Sequence, residues 1–172
     1  GAQNPTFVTV NPATNAAVVV DQGDFTTPGR LFLIDLTRGR VISTVTVGVG
    51  PSFVAVNPAT NRAVVSNSFS DTVSIVDLGG RGAVLATIPV GQEPTGVAID
   101  PATNQAMVAH TQNNQIMFID LGTFRVATVL QLGADGAVAP SDLAWDAAAK
   151  TAIATNATIG AFTNNLMILT LP

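Results

Sequence analysis

The chain has 172 residues, of which 47% are hydrophobic and only 10% charged, with a net charge of −4 and no cysteine. That length suits one domain with a real core, and the lack of thiols excludes disulfides, thiolate catalysis and cysteine-ligated metals. Seven basic residues, densest at Arg38 and Arg40, leave no positive footprint for nucleic acid, and no apolar run reaches the roughly 18–20 residues of a membrane-inserting helix.

The first predicted strand covers residues 7–10. It runs into the turn Asn11-Pro12-Ala13-Thr14-Asn15, where an Asn side chain accepts local backbone N–H bonds and proline pre-sets its own dihedral. A second strand ends at 18–21, a polar loop spans 21–30, and a third strand covers 31–35. The pattern restarts at Pro51 with a strand at 53–56, the same turn at 57–61, and strands at 64–67, 73–77 and 84–91. It restarts again at Pro94 with strands at 96–100, 106–109, 115–120 and 125–130. The last copy begins at Pro140, with strands at 142–145, 153–156 and 166–170. Its turn has eroded to Asp146-Ala147-Ala148-Ala149-Lys150, and no fourth strand follows.

Starts at Pro5, Pro51, Pro94 and Pro140 make a period of propeller-blade size, with short strands between turns and no helical periodicity. The expected fold is an all-β propeller of four blade-like, four-stranded antiparallel repeats, the last lacking its outer strand. The blades fall at about 5–50, 51–93, 94–139 and 140–172, and the whole of 1–172 is one propeller domain or part of a larger one. A repetitive β-sandwich would explain the alternation but not four in-register copies.

The first strand of each copy has two unlike faces. Val8, Val54, Val97 and Leu143 share one face with Val10, Val56, Ile99 and Trp145, while Thr9, Ala55, Ala98 and Ala144 lie on the other. Large against small is what stacked, twisted sheets require where they approach most closely near an axis.

The segments Pro94-Thr95-Gly96-Val97-Ala98, Asp100-Pro101-Ala102-Thr103-Asn104, Ser74-Ile75-Val76-Asp77 and Val84-Leu85-Ala86-Thr87-Ile88-Pro89-Val90-Gly91 resemble the YVTN family of β-propeller repeats. The name-giving motif is blurred to 18–21, 64–67, 107–110 and 153–156, and the chain has no tyrosine. The resemblance covers nearly the whole chain. It implies a ring of about seven blades, with the loops between second and third strands and those between blades sharing one rim. Four copies would leave exposed flanks. Three outcomes meet that need: a piece of a longer propeller, a ring completed with another copy, or a compact four-bladed closure.

On the variable rim, Asp21, Asn67, His110 and Asn156 occupy matching positions at the ends of second strands, with Asp24, Asp71, Glu93, Asp135 and Asp142 nearby. Such oxygens and amides suit sugar hydroxyls or a divalent cation. No dense acidic loop argues for a metal, and the competing reading is that these side chains cap their own turns. His110 is the sole histidine. With Asp21 it is the least implausible catalytic pair, although no G-x-S-x-G or phosphate-binding loop accompanies it. Trp145 stands where other copies place valine or isoleucine and reads as core, while Phe25, Phe69 and Phe162 fall in rim loops as contact candidates.

These features favour a noncatalytic binding or assembly module, exported or at the cell surface, that engages a protein, a glycan or another copy of itself. The alternative is a lactonase-like propeller hydrolase with its site on the variable rim.

Overall fold

The computed structural model describes residues 1–132, 139–156 and 166–170. Among these the strands form four separate antiparallel sheets in chain order. The first holds β1 (Pro5–Asn11), β2 (Ala16–Asp21), β3 (Pro28–Asp35) and β4 (Arg40–Val49). The second holds β5 (Pro51–Asn57), β6 (Arg62–Asn67), β7 (Thr72–Asp77) and β8 (Ala83–Pro89). The third holds β9 (Pro94–Asp100), β10 (Gln105–His110), β11 (Gln115–Asp120) and β12 (Arg125–Gln131). The fourth has three strands, β13 (Pro140–Asp146), β14 (Thr151–Asn156) and β15 (Leu166–Thr170). This is the expected blade architecture, with the last blade one strand short. Asp135, Phe162 and most of the two long rim connections lie outside the described residues.

Repeated sequence becomes repeated geometry. In each a–b turn (between the first and second strands of a blade) the leading Asx side chain accepts a backbone N–H two residues on. Asn11 Oδ1 accepts from Ala13, Asn57 Oδ1 from Ala59 and Asp100 Oδ1 from Ala102, each at 3.0 Å. The turn closes on a left-handed residue, Asn15, Asn61 or Asn104, with φ of 51°, 53° and 55°. The eroded fourth turn keeps this shape with Lys150 at φ 51°, a conformation less natural to lysine than to asparagine. The pairing of first and second strands slips by one residue near the start of every blade, at Pro5/Phe7, Pro51/Phe53 and Pro140/Asp142 and between Val108 and His110. Such bulges deepen twist and re-aim the side chain beside them.

The core is three clusters, each trapped between neighbouring blades. Val18, Val20, Leu31 and Leu33 of the first blade meet Val54, Val65, Val76 and Leu78 of the second. Val64, Val73, Ile75 and Ile88 meet Val97, Ile99, Val108 and Leu121. Met107, Ala109, Ile116 and Phe118 meet Leu143, Ala152 and Ala154. Each fully buried aliphatic side chain contributes about 1.5–3 kcal/mol by leaving water, so the blades are held by one another rather than by internal cores.

The small face of the first strands is what allows this approach. A Cβ added to Gly96 would stand 2.4 Å from Asp142 Cα, so β9 and β13 run almost in backbone contact.

Among the described residues the first strands line up as β1, β5, β9 and β13, each packed on the next, with no comparable packing of β1 on β13, so the described blades form an open arc. Val8 and Val10, on the face that is buried in later blades, are 58% and 49% exposed. At the other end Ile153 and Ile168 are 37% and 64% exposed. No helix is long and apolar enough to cross a membrane among the described residues.

Candidate functional site: the variable rim

Asp21, Asn67 and His110 do close their second strands as matching residues, ending β2, β6 and β10. All three are fully buried. Asn156 ends β14 and pairs with Pro140.

The buried side chains clasp the segment entering each blade. Asp21 Oδ2 accepts from Gln3 N at 3.0 Å, and Oδ1 accepts from Asn4 N at 2.6 Å and Gly23 N at 3.2 Å. Arg30 Nη2 completes the set at 2.9 Å from Oδ2. Burial alone would raise this carboxyl's pKa, but the three backbone donors and Arg30 together outweigh it, and the group stays below its ordinary value. Asn67 Oδ1 accepts from Gly48 N at 3.1 Å, while its amide donates to Thr72 Oγ1 at 3.1 Å and Ser74 Oγ at 3.0 Å. A Cβ on Gly48 would lie 2.6 Å from Asn67 Cγ, so only glycine lets this strand pass.

His110 takes the same place without the same bonds. Gly91 is the counterpart of Gly48, and a Cβ there would stand 3.1 Å from His110 Nδ1. Neither ring nitrogen makes a hydrogen bond of ordinary geometry. Burial pushes the His110 pKa down, against weaker upward pulls from the Gln92 and Gly91 backbone and from the Asp71 charge. The ring is enclosed, and its burial favours the neutral imidazole over the charged form.

Asp24 is exposed and bound to its own loop. Its Oδ1 accepts from Thr27 N at 2.9 Å and Thr26 N at 3.0 Å and from both threonine hydroxyls. These donors, led by Thr27 N–H, hold the carboxyl well below the ordinary range. Asp142 is half-buried and accepts from Leu143 N at 2.8 Å.

Two of the remaining sequence-derived candidates come together. Asp71 and Glu93 line a shallow depression of about 450 Å³ with Ser68, Phe69, Gln92 and Gln112, between the second and third blades. Asp71 Oδ1 accepts from Glu93 N at 2.9 Å, and Gln112 Nε2 donates to Glu93 Oε2 at 2.7 Å. Both acids sit at left-handed backbone, φ 51° and 50°, so the loops that present them are sharply turned. Phe69 projects at the edge, 5.7 Å ring-to-ring from Phe25 of the preceding blade, which is also exposed. The sequence reading missed Ser68, Gln92 and Gln112. Ser68 and Gln112 fall inside loops already marked as variable, and Gln92 directly precedes Glu93, so chain position was the available signal.

Among the described residues no group of three or more histidine, cysteine or acidic side chains is placed to hold a metal ion. Trp145, expected as core, is half-buried. It packs on the cluster between the third and fourth blades, and its Nε1 has no hydrogen-bond partner. It also borders a second, more apolar cavity of about 590 Å³ on the opposite rim.

Fold and rim together define a propeller-type, blade-repeat protein whose variable loops converge on a polar and aromatic depression. The chain is similar to a solved structure of Kuenenia stuttgartiensis hydrazine synthase, with a TM-score of 0.85 and 24% identity over 97% of this chain and 46% of that one. It is also similar to a functionally unknown protein from Desulfotomaculum acetoxidans DSM 771, with a TM-score of 0.75 and 17% identity over 91% and 50% of the two chains. At these identities the likeness is one of fold, and the chain spans about half the length of both structures. No protein-family model matches it, and no curated protein does.

Proposed function

We propose that this chain is a noncatalytic assembly and binding module built of YVTN-type propeller repeats. Its flanks dock on further blades of the same kind, and its variable rim holds a partner. The observation that carries this reading is the open arc. Val8 and Val10 at one end and Ile153 and Ile168 at the other repeat faces that are covered at every internal junction. Their geometry is complementary, since the large-residue face of the first blade has the shape that internal blades press against a small-residue face such as that of Ala144. A second copy would present both faces, and two heterologous junctions between copies close a ring.

The rim depression supplies the binding function. Two carboxylates, two amides and an exposed phenylalanine pair match the hydroxyls and apolar patches of a glycan. A cell-surface or exported setting belongs to this reading. The full burial of Asp21 and His110, the least implausible catalytic pair, supports a noncatalytic role. Sedimentation over a concentration series, paired with a glycan array, tests both halves. Mass should rise with concentration, and array signals should vanish in Phe69→Ser and Glu93→Gln. A fixed monomer mass with an empty array would remove the proposal.

A further inference from the structure

The rim depression between the second and third blades carries a charge that nothing beside it cancels. Asp71 and Glu93 do not cap their own turns as acids of the opposite rim do. Asp35, Asp77 and Asp120 each accept from backbone N–H groups two or three residues on. Asp71 Oδ1 instead accepts from Glu93 N, and Glu93 Oε2 from Gln112 Nε2, bonds that reach 22 and 19 residues along the chain. Each carboxylate thus has one oxygen held and one free, since Asp71 Oδ2 and Glu93 Oε1 make no hydrogen bond among the described residues.

Among the described residues no cation is paired with either acid. Of the chain's seven basic residues, Arg30 alone stands on the variable rim, and its guanidinium is bound to Asp21 at 2.9 Å. The other basic residues lie in or beside the a–b and c–d turns of the opposite rim. His110 is the remaining base at hand. It ends β10, its Nδ1 lies against Gly91 next to the depression's Gln92, and neither ring nitrogen is bonded. Burial holds this ring toward its neutral form against the pull of the Asp71 charge, so it does not serve as counter-charge.

Beside the free oxygens stands an aromatic seat. Phe69 packs over Gly50, where a Cβ would stand 2.6 Å from the ring's Cδ2, so the ring is held in place while the residue stays 58% exposed. The negative face of such a ring attracts the polarised C–H bonds of a sugar and, more strongly, a cation above it. Ser68 and the Gln92 and Gln112 amides add donors and acceptors suited to hydroxyls. We infer that the depression takes an amino sugar chain, whose protonated amine sits between Asp71 and Glu93 while its ring lies on Phe69. A neutral glycan would satisfy the amides and the ring but leave the two carboxylates without a counter-charge. This inference rests on the glycan reading of the rim and names the class of glycan.

Titration calorimetry with three β-1,4-linked tetramers tests it: those of glucosamine, of N-acetylglucosamine and of glucose, which differ only at C2. At about pH 6, below the usual titration range of amines, the glucosamine tetramer should bind about tenfold or more tighter than either neutral one, the margin of charge-assisted over neutral hydrogen bonds. Added salt should shrink that preference, because exposed charges are screened. Asp71→Asn keeps an oxygen for Glu93 N and suits a left-handed backbone, so the fold stands. It should weaken binding of the glucosamine tetramer about tenfold and leave the neutral tetramers unchanged. Equal affinity for all three tetramers would overturn the inference and leave the glycan reading in place, whereas binding of none would remove both. Tetralysine bound as tightly as the glucosamine tetramer would also overturn it, by giving the depression to a basic polypeptide.

Discussion

The side-chain amide of Asn57 donates to Oδ1 of Asn104 at 3.0 Å, tying the a–b turn of one blade to that of the next. Asn11 makes the same link to Asn61 at 2.7 Å. Asn57 is fully buried, so its truncation strands the Ala59 N–H as well as Asn104. Asn57→Ala should cost about 1–3 kcal/mol, read as a lower urea midpoint with an unchanged slope. A loss below a few tenths of a kcal/mol would show that the inter-blade link is incidental.

The third junction lacks this link because Asp100 stands in the donor's place and Lys150 in the acceptor's. Asp100 spends its oxygens on Ala102 N and Thr103 Oγ1, the latter at 2.6 Å. Asp100→Asn combined with Lys150→Asn should rebuild the amide pair and stabilise by about 0.5–1.5 kcal/mol. The gain should exceed the sum of the two single changes in a double-mutant cycle. Strict additivity would argue that no bond had formed.

Gly96→Ala reverses the usual sign of a glycine replacement. Elsewhere this change stabilises by restricting the unfolded chain, but here the new Cβ meets Asp142 Cα at 2.4 Å. Ala98→Leu, on the same small face, overpacks the junction with the fourth blade. Each should destabilise by about 1–3 kcal/mol, and neutral melts for both would deny the close approach of β9 and β13.

How much of this was legible in the sequence divides along physical lines. The four blades, their turns and the large and small faces follow from periodicity and turn chemistry, which are local. The matching of Asp21, Asn67 and His110 was legible too, but not their burial. The bulge beside each strand end aims these side chains at the incoming segment rather than at the rim, and nothing in the local pattern signals that. The Asn57–Asn104 bond was equally invisible, because the first asparagine is fully explained by its own turn and its second role appears only when blades stack.

His110 makes stability depend on pH. Its folded-state pKa lies below the unfolded value of about 6.5, so the unfolded chain takes up the proton first. The stabilising contribution of the neutral ring is complete above pH 6.5 and is lost as pH falls below it toward the folded pKa. His110→Asn should flatten the stability profile between about pH 7 and 5, since Asn67 fills the corresponding position without titrating. An unchanged slope in that interval would mean that another group controls it.

The open arc itself can be tested most directly by cross-linking, because the chain carries no cysteine of its own. Val10→Cys and Ile153→Cys place one thiol on each exposed flank, and each single change made alone reports any disulfide between like positions. The account predicts a disulfide between molecules, giving a covalent species of twice the chain mass that is absent when either change is made singly. A disulfide confined within single molecules would instead establish a closed four-bladed ring and contradict the account.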